Sequence, residues 1–296
     1  MLFDFLFEKP FGLSLSDTSI GVVQLKGSAK NPQIGIAGEK ALPAGLIQNG
    51  QIQNPQALAE LLKSFFKELH LTAKKCVLSL PWEQTFGHVF PGPFNADLNQ
   101  KIKEVVPLPP EEIEADHTAF LHPDFQFVLV SAASRNVLKA YGDLLKNQCG
   151  IIPAVMEPAG LSLLRSLSLP PDLKQGQLLL YRIPKTITWF LLWDGIVFDS
   201  NRLAAAPDFA SRLMDDIRGS KIFFEKTTGQ PLTRALVMEP PSAKDPLAPV
   251  LKEKFSLEAI PIPSYRLPLA VPGKDVPEVL ATAGGAALRG IGAADP

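Results

Sequence analysis

The side chains of this chain that could do chemistry are few, and their spacing favours none of the common catalytic arrangements. In DHTAFLH, His117 and His122 stand five apart, which sets them on neither one helix face nor one strand face, and no HExxH accompanies them, so no metal pair is expected. Glu111, Glu112 and Glu114 follow Pro109–Pro110 and read as a solvated helix start, where carboxylates suit the dipole, rather than as a general acid and base. Cys76 and Cys149 are too few for a disulfide framework or a zinc site and are expected as buried thiols. The sequence holds no GxxxxGK[ST] loop, no G-x-S-x-G elbow and no Cys/His nucleophile pair. What remains is a polar turn, Ser14 to Thr18, in which Asp17 suits turn formation. There is also one glycine pair, Gly284–Gly285, which reads with Ala281 and Ala287 as a helix face packed closely on a neighbour.

These residues must be held by a folded frame, and the composition supplies one. The 296 residues are 46% hydrophobic and 20% charged, enough for two domains and a full core. A net charge of −1 with scattered Lys and Arg excludes a nucleic-acid footprint. Two segments share a strand–turn–strand pattern, Phe11 to Gly27 and Gln177 to Gly195, and each opens one half of the chain, which predicts duplicated architecture. In the first half the pattern predicts a strand at Ile34 to Ala37. A helix follows, capped by Asn54 with Pro55 in its first turn, its apolar face running from Leu58 to Leu69. A buried strand at Lys75 to Leu80 comes next. Residues from about 86 to 130 read as a small inserted unit with a helix near 97–106. Ser134 is expected to cap the next helix and Gly150 to end it, before a strand at Ile151 to Val155 and a helix at Ala159 to Leu167.

LPPDLKQGQ then reads as a linker over 169–176, dividing a first domain, 1–168, from a second, 177–296. The second half alternates helices near 209–225 and 247–254 with strands at 235–238 and 257–260, and closes on a helix of small residues. The start, MLFDFLFEKP, lacks the basic residues and cleavage site of a signal peptide, and no apolar run approaches the roughly 18 residues of a spanning helix. Residence in the cytoplasm is therefore expected. Leu2, Phe3, Leu6 and Phe7 would serve either a membrane surface or a capping element on the core.

The order of several segments resembles the PilM family of type IV pilus assembly proteins, which is actin-like and related to FtsA. The segments are FGLSLSDTSIGVVQL, LPAGLIQNGQIQNPQALAELLKSFF, VLSLPWEQTF, the run from Val128 to Leu167, WDGIVFDSNRL and ATAGGAALRG. The resemblance implies an α/β, two-domain actin-like fold with a small insert in its first half. It also implies a cleft for ATP and magnesium between the halves.

At three turns where the family places glycines and acids, this chain departs. The first turn has Ser14 and Ser16, the second Tyr181, Ile183 and Pro184, and the nucleoside turn reads Glu239, Pro240, Pro241. Proline has no N–H to offer a phosphate. No cofactor, metal or catalysis is therefore expected, only a scaffold peripheral to a bacterial inner membrane. A working actin-like ATPase and the cytoplasmic domain of a type II secretion platform are the alternatives.

The resemblance further implies that the cytoplasmic tail of a PilN-like membrane protein binds a cleft beside the insert. Val105, Val106, Pro107 and Leu108 would serve as a wall of that cleft or as the insert's own core. Other pilus or secretion platform components, and a second copy of the chain, are further expected partners.

Overall fold

The computed structural model describes residues 9–92, 98–121, 126–169, 176–183, 186–193, 196–204, 209–239, 246–262, 265–269 and 276–292. The apolar run Phe11–Leu15 (β1) turns back through Ser19–Ser28 (β2), and Asn31–Ala41 (β3) continues the meander. A two-stranded ribbon, Ile47–Gln48 (β4) with Gln51–Ile52 (β5), leads to Pro55–Glu68 (α1). Asn54 Oδ1 accepts the Ala57 N–H at 3.0 Å, the expected cap, and Leu58, Leu62, Phe65 and Phe66 are buried. Lys75–Leu80 (β6) follows.

The insert comprises Thr85–Pro91 (β7), Leu98–Val105 (α2), Ile113–Leu121 (β8) and Gln126–Ser134 (β9), in sheet order β7-β9-β8. Arg135–Asp143 (α3) widens into a π-helical turn over Leu144–Cys149, and Gly150, at φ 68°, ends it as expected. Ser134 stands at the start of α3, but its side chain makes no capping hydrogen bond. The carboxylate run is likewise no α-helix start: Pro110–Glu112 form a 3-10 turn, and Glu114 lies within β8. Ile152–Pro158 (β10) and Ala159–Ser166 (α4) complete this half.

The second half runs Gln177–Ile183 (β11), Thr186–Trp193 (β12), Ile196–Ala204 (β13), Phe209–Thr228 (α5), Arg234–Met238 (β14), Leu247–Phe255 (α6), Glu258–Pro261 (β15) and Glu278–Gly290 (α7). Its sheet order, β13-β12-β11-β14-β15, repeats β3-β2-β1-β6-β10 strand for strand. In both sheets an antiparallel meander passes into two parallel strands. The duplication read from the two opening hairpins therefore extends through each half.

Helices α4 and α7 lie between the two sheets in a shared core that joins Val23 and Leu25 of β2 to Leu179, Phe190 and Leu192 of the second sheet. Helix α7 belongs by sequence to the second half but rests on β1 and β2 of the first. Two strand glycines admit it. A Cβ on Gly12 would lie 1.9 Å from the Ala283 carbonyl oxygen, and one on Gly21 would lie 2.3 Å from that of Val279. Among the described residues no helix is long and apolar enough to cross a membrane.

Candidate functional site

The β1–β2 turn faces the cleft between the halves, and its own side chains occupy its donors. Ser16 Oγ accepts the N–H groups of Ser19 at 3.0 Å and Thr18 at 3.3 Å. The Ser16 N–H is held by the Ser19 carbonyl at 2.9 Å. Asp17 reaches across to the β4–β5 turn and accepts the N–H groups of Asn49 at 2.7 Å and Gly50 at 2.9 Å. Both residues have positive φ, so the carboxylate fixes a turn that would otherwise cost backbone energy. Ser14, at the end of β1, is buried. A phosphate entering here would have to displace bonds the turn already makes.

On the opposite wall Tyr181 occupies the matching position of β11. Its phenol shares a 3.0 Å hydrogen bond with that of Tyr265, and burial pushes its pKa well above the ordinary value. Ile183 is half-buried and borders the cleft, while Pro184 lies outside the described residues. Beyond β14 the Glu239 carboxylate accepts the Leu247 N–H at 3.3 and 3.4 Å, and Arg182 stands 3.7 Å away. The chain's own anion thus sits at the start of α6, where backbone donors favour negative charge. Pro240 and Pro241 lie outside the described residues.

The cleft between these turns has a volume of about 320 Å³ and is bordered by Asp17, Glu39, Glu83 and Glu278. Arg202 of β13, the one basic side chain among the described lining residues, is already engaged. It meets Glu278 of α7 at 3.1 Å and its guanidinium lies 5.9 Å from the Trp82 ring centre. Burial raises the Glu278 pKa, Arg202 opposes that and Glu83 adds to it. Carboxylates therefore dominate the field of the cleft, which disfavours a polyphosphate.

The glycine pair does not reach this cleft. Gly285 is pressed against α4, where an added Cβ would lie 1.6 Å from the Ser162 carbonyl oxygen, and Gly284 faces Leu267 and Leu269. Of the two histidines, His117 is exposed on β8 and His122 lies outside the described residues. Among the described residues no cluster of three metal-binding side chains occurs.

A second, larger groove of about 710 Å³ runs beside the insert. Its walls are β8 and β9 of the insert, β10 and α4 of the first half, and Ile196 and Val197 of β13. Leu129, Leu138, Met156 and Leu161 line it beside the polar side chains of Glu114, Asp116, His117 and Arg289. Beneath it Arg165, 1% exposed, makes a two-point ion pair with Glu157 at 2.6 and 3.1 Å. Ser162 Oγ donates to the same carboxylate at 2.5 Å, and Arg165 also donates to the Gly285 carbonyl at 3.2 Å. This network ties β10, α4 and α7 together. The lone basic residue of a short apolar helix was its only sequence signal.

Val105, Val106, Pro107 and Leu108 do not line this groove. Val106 is buried with Phe90, Ile102 and Ile113 in the insert's own core, Leu108 packs on that core, and Val105 and Pro107 are exposed. The register explains the outcome. Val128, Val130 and Ala132 of β9 point towards α2, so the alternate residues Leu129, Ser131 and Ala133 form the groove face.

Two mixed sheets of identical order, with two helices between them and a cleft at their opening hairpins, define an actin-like α/β protein. The solved PilM–PilN type IV pilus biogenesis complex shares this fold, with a TM-score of 0.74 at 16% identity over 96% of this chain and 98% of that one. The cytoplasmic domain of EpsL, an inner membrane component of the type II secretion system of Vibrio cholerae, aligns over 92% of both chains at 15% identity and a TM-score of 0.49. No curated protein sequence matches the chain. The family model of the type IV pilus assembly protein PilM matches residues 12–172, more than half of the sequence. The chain belongs to the PilM family of type IV pilus assembly proteins.

Proposed function

We propose that this PilM-type protein works as a scaffold without nucleotide, docking the cytoplasmic tail of a PilN-like membrane protein in the groove beside its insert. It would couple that tail to a pilus or competence machine from the cytoplasmic side of a bacterial inner membrane. One observation carries the reading: the amides of the β1–β2 turn and the one basic side chain among the cleft's described lining residues are already engaged within the chain. Ser16 takes the amides of its own turn, Glu239 takes the start of α6, and Glu278 takes Arg202. The groove beside the insert, about 710 Å³ against about 320 Å³ for the cleft, sets apolar side chains such as Leu129 and Leu161 beside polar ones and is of a size suited to a peptide segment.

Two measurements test the two halves of this reading. ATP with magnesium should leave the melting temperature unchanged, whereas a ligand at a hundred times its Kd would stabilise the folded state by about 2.7 kcal/mol. A clear rise, or magnesium-dependent turnover abolished by a cleft substitution, would restore the ATPase. The cytoplasmic tail of a PilN-like membrane protein should bind the purified protein, and Leu161→Glu in the groove wall should remove that binding. Failure of the wild-type protein to bind the tail would refute the docking role.

A further inference from the structure

The groove has two sheet edges for walls, and they differ in kind. β10 is the edge of the first sheet, but Pro153 and Pro158 lie in it and its register with β6 shifts between Pro153 and Val155. Prolines and bulges are how natural sheets close an edge to further strands. β8 is an edge of the insert sheet, bonded to β9 on one side only. Its pairing runs unbroken from Ile113↔Ser134 to Leu121↔Gln126, nine residues with no proline and no bulge. Glu114 through Ala119 are all exposed, on both faces of the strand. The opposite edge of the same sheet, β7, is covered by β13 of the second half.

We propose that the groove's occupant joins the insert sheet as a fourth strand along β8. The proposal rests on the docking role above and specifies its mode: an extended segment bound through main-chain hydrogen bonds to the outer edge of β8. About five or six residues would suffice, the usual length of a strand.

The side chains that flank this edge set what the segment must be. Glu114, Asp116 and Thr118 share the groove face with Ala133, Ser131 and Leu129, their partners on β9. Glu114 already pairs with Arg135 at 3.0 Å. Among the described residues the Asp116 carboxylate takes its neighbour's amide alone, from His117, at 2.8 Å. Alternate residues of the added strand would face Leu129, Met156, Leu161 and Val197, so they are apolar except the one beside Asp116, which is Lys or Arg, as cross-strand pairs of opposite charge favour. The segment therefore alternates apolar and polar residues and carries a basic one.

Proline substitution reads the backbone directly. Successive N–H groups of a strand point to opposite edges, so of Asp116→Pro and His117→Pro one removes a donor from the open edge and the other a bond to β9. The probe is a synthetic peptide of the cytoplasmic tail of a PilN-like membrane protein from the same organism, titrated into the full chain. The outward variant should keep the wild-type melting temperature and bind the peptide about tenfold more weakly. Peptide should slow amide exchange in 114–120 of the wild-type protein. Asp116→Ala, which keeps the backbone donor, should weaken binding less than the outward proline does. If wild-type protein binds the peptide but the outward proline variant binds equally well, with exchange in β8 unchanged, strand addition is refuted and the docking role stands. If wild-type protein does not bind, the docking role itself falls. Protection of β8 that grows with protein concentration without peptide would assign the edge to a second copy of the chain and overturn the proposal.

Discussion

Replacing Gly285 by alanine adds one methyl group where α7 is pressed against α4. Its Cβ would lie 1.6 Å from the Ser162 carbonyl oxygen, where ordinary contact begins near 3.4 Å, so the two backbones must part by about 1.8 Å. Neither helix has room to retreat. Behind α7, Gly12 and Gly21 hold β1 and β2 against the Ala283 and Val279 carbonyls, and the Arg165–Gly285 hydrogen bond fixes the same turn to α4. Overpacking a tight core costs about 1–3 kcal/mol, and a clash with backbone on both sides belongs at or above the top of that range. At about 2–4 °C per kcal/mol, the melting temperature should fall by about 6–12 °C. Gly219 of α5 is the control: it is exposed, and nothing lies within 4 Å of a Cβ built there. Gly219→Ala should stabilise by about 0.4–1 kcal/mol. Denaturant unfolding of the three proteins, side by side, gives both values. Equal stability of the Gly285 variant and the wild type would show that the glycine pair is not kept for close helix packing, and would reopen a ligand role for it.

Three further outcomes are expected. Arg165→Ala strands the Glu157 carboxylate in the core and should cost about 3–5 kcal/mol in denaturant unfolding, whereas Glu157→Gln with Arg165→Met should cost much less because no buried charge is left unpaired. Burial raises the Asp199 pKa above its ordinary 3.8, against the hydrogen bond from Ser220 at 2.5 Å. The native carboxyl thus keeps its proton to higher pH than the unfolded one, and this group's contribution to stability falls as pH climbs from 3.8 through the raised value. Asp199→Asn should remove that part of the decline in unfolding experiments run across pH. Burial pushes the Cys76 thiol up to about 12 and raises that of Cys149, so a thiol reagent should label neither quickly in the native protein and both after unfolding.

Much of the frame was legible because its signals are local. The β1–β2 and β11–β12 hairpins, the Asn54 cap, the apolar face of α1 and the Gly150 stop each depend on a few adjacent residues, and each stands where its pattern put it. Local signals misled where a neighbour in space intervened. Glu114 has, with its acidic neighbours, the residue type of a helix start, but pairing with Ala133 of β9 draws it into a strand. Ser134 has the right type for a cap yet makes no capping bond. Val105 to Leu108 were legible as apolar, but not which face of the insert sheet they would cover.

The sequence alone determined most of the elements, the two matching hairpins and the serines and prolines at their turns, since turn chemistry and hydrophobic period act between residues close in the chain. Only the tertiary structure decided that α7 crosses to the first sheet, that Glu278 takes the cleft's Arg202, and that β8 is an edge strand among the described residues and faces the groove. The crossing of α7 and the placing of β8 depend on which faces meet between segments far apart in the chain. Backbone packing, charge pairing and strand order fix that choice, and none of them is written in the spacing of neighbouring residues.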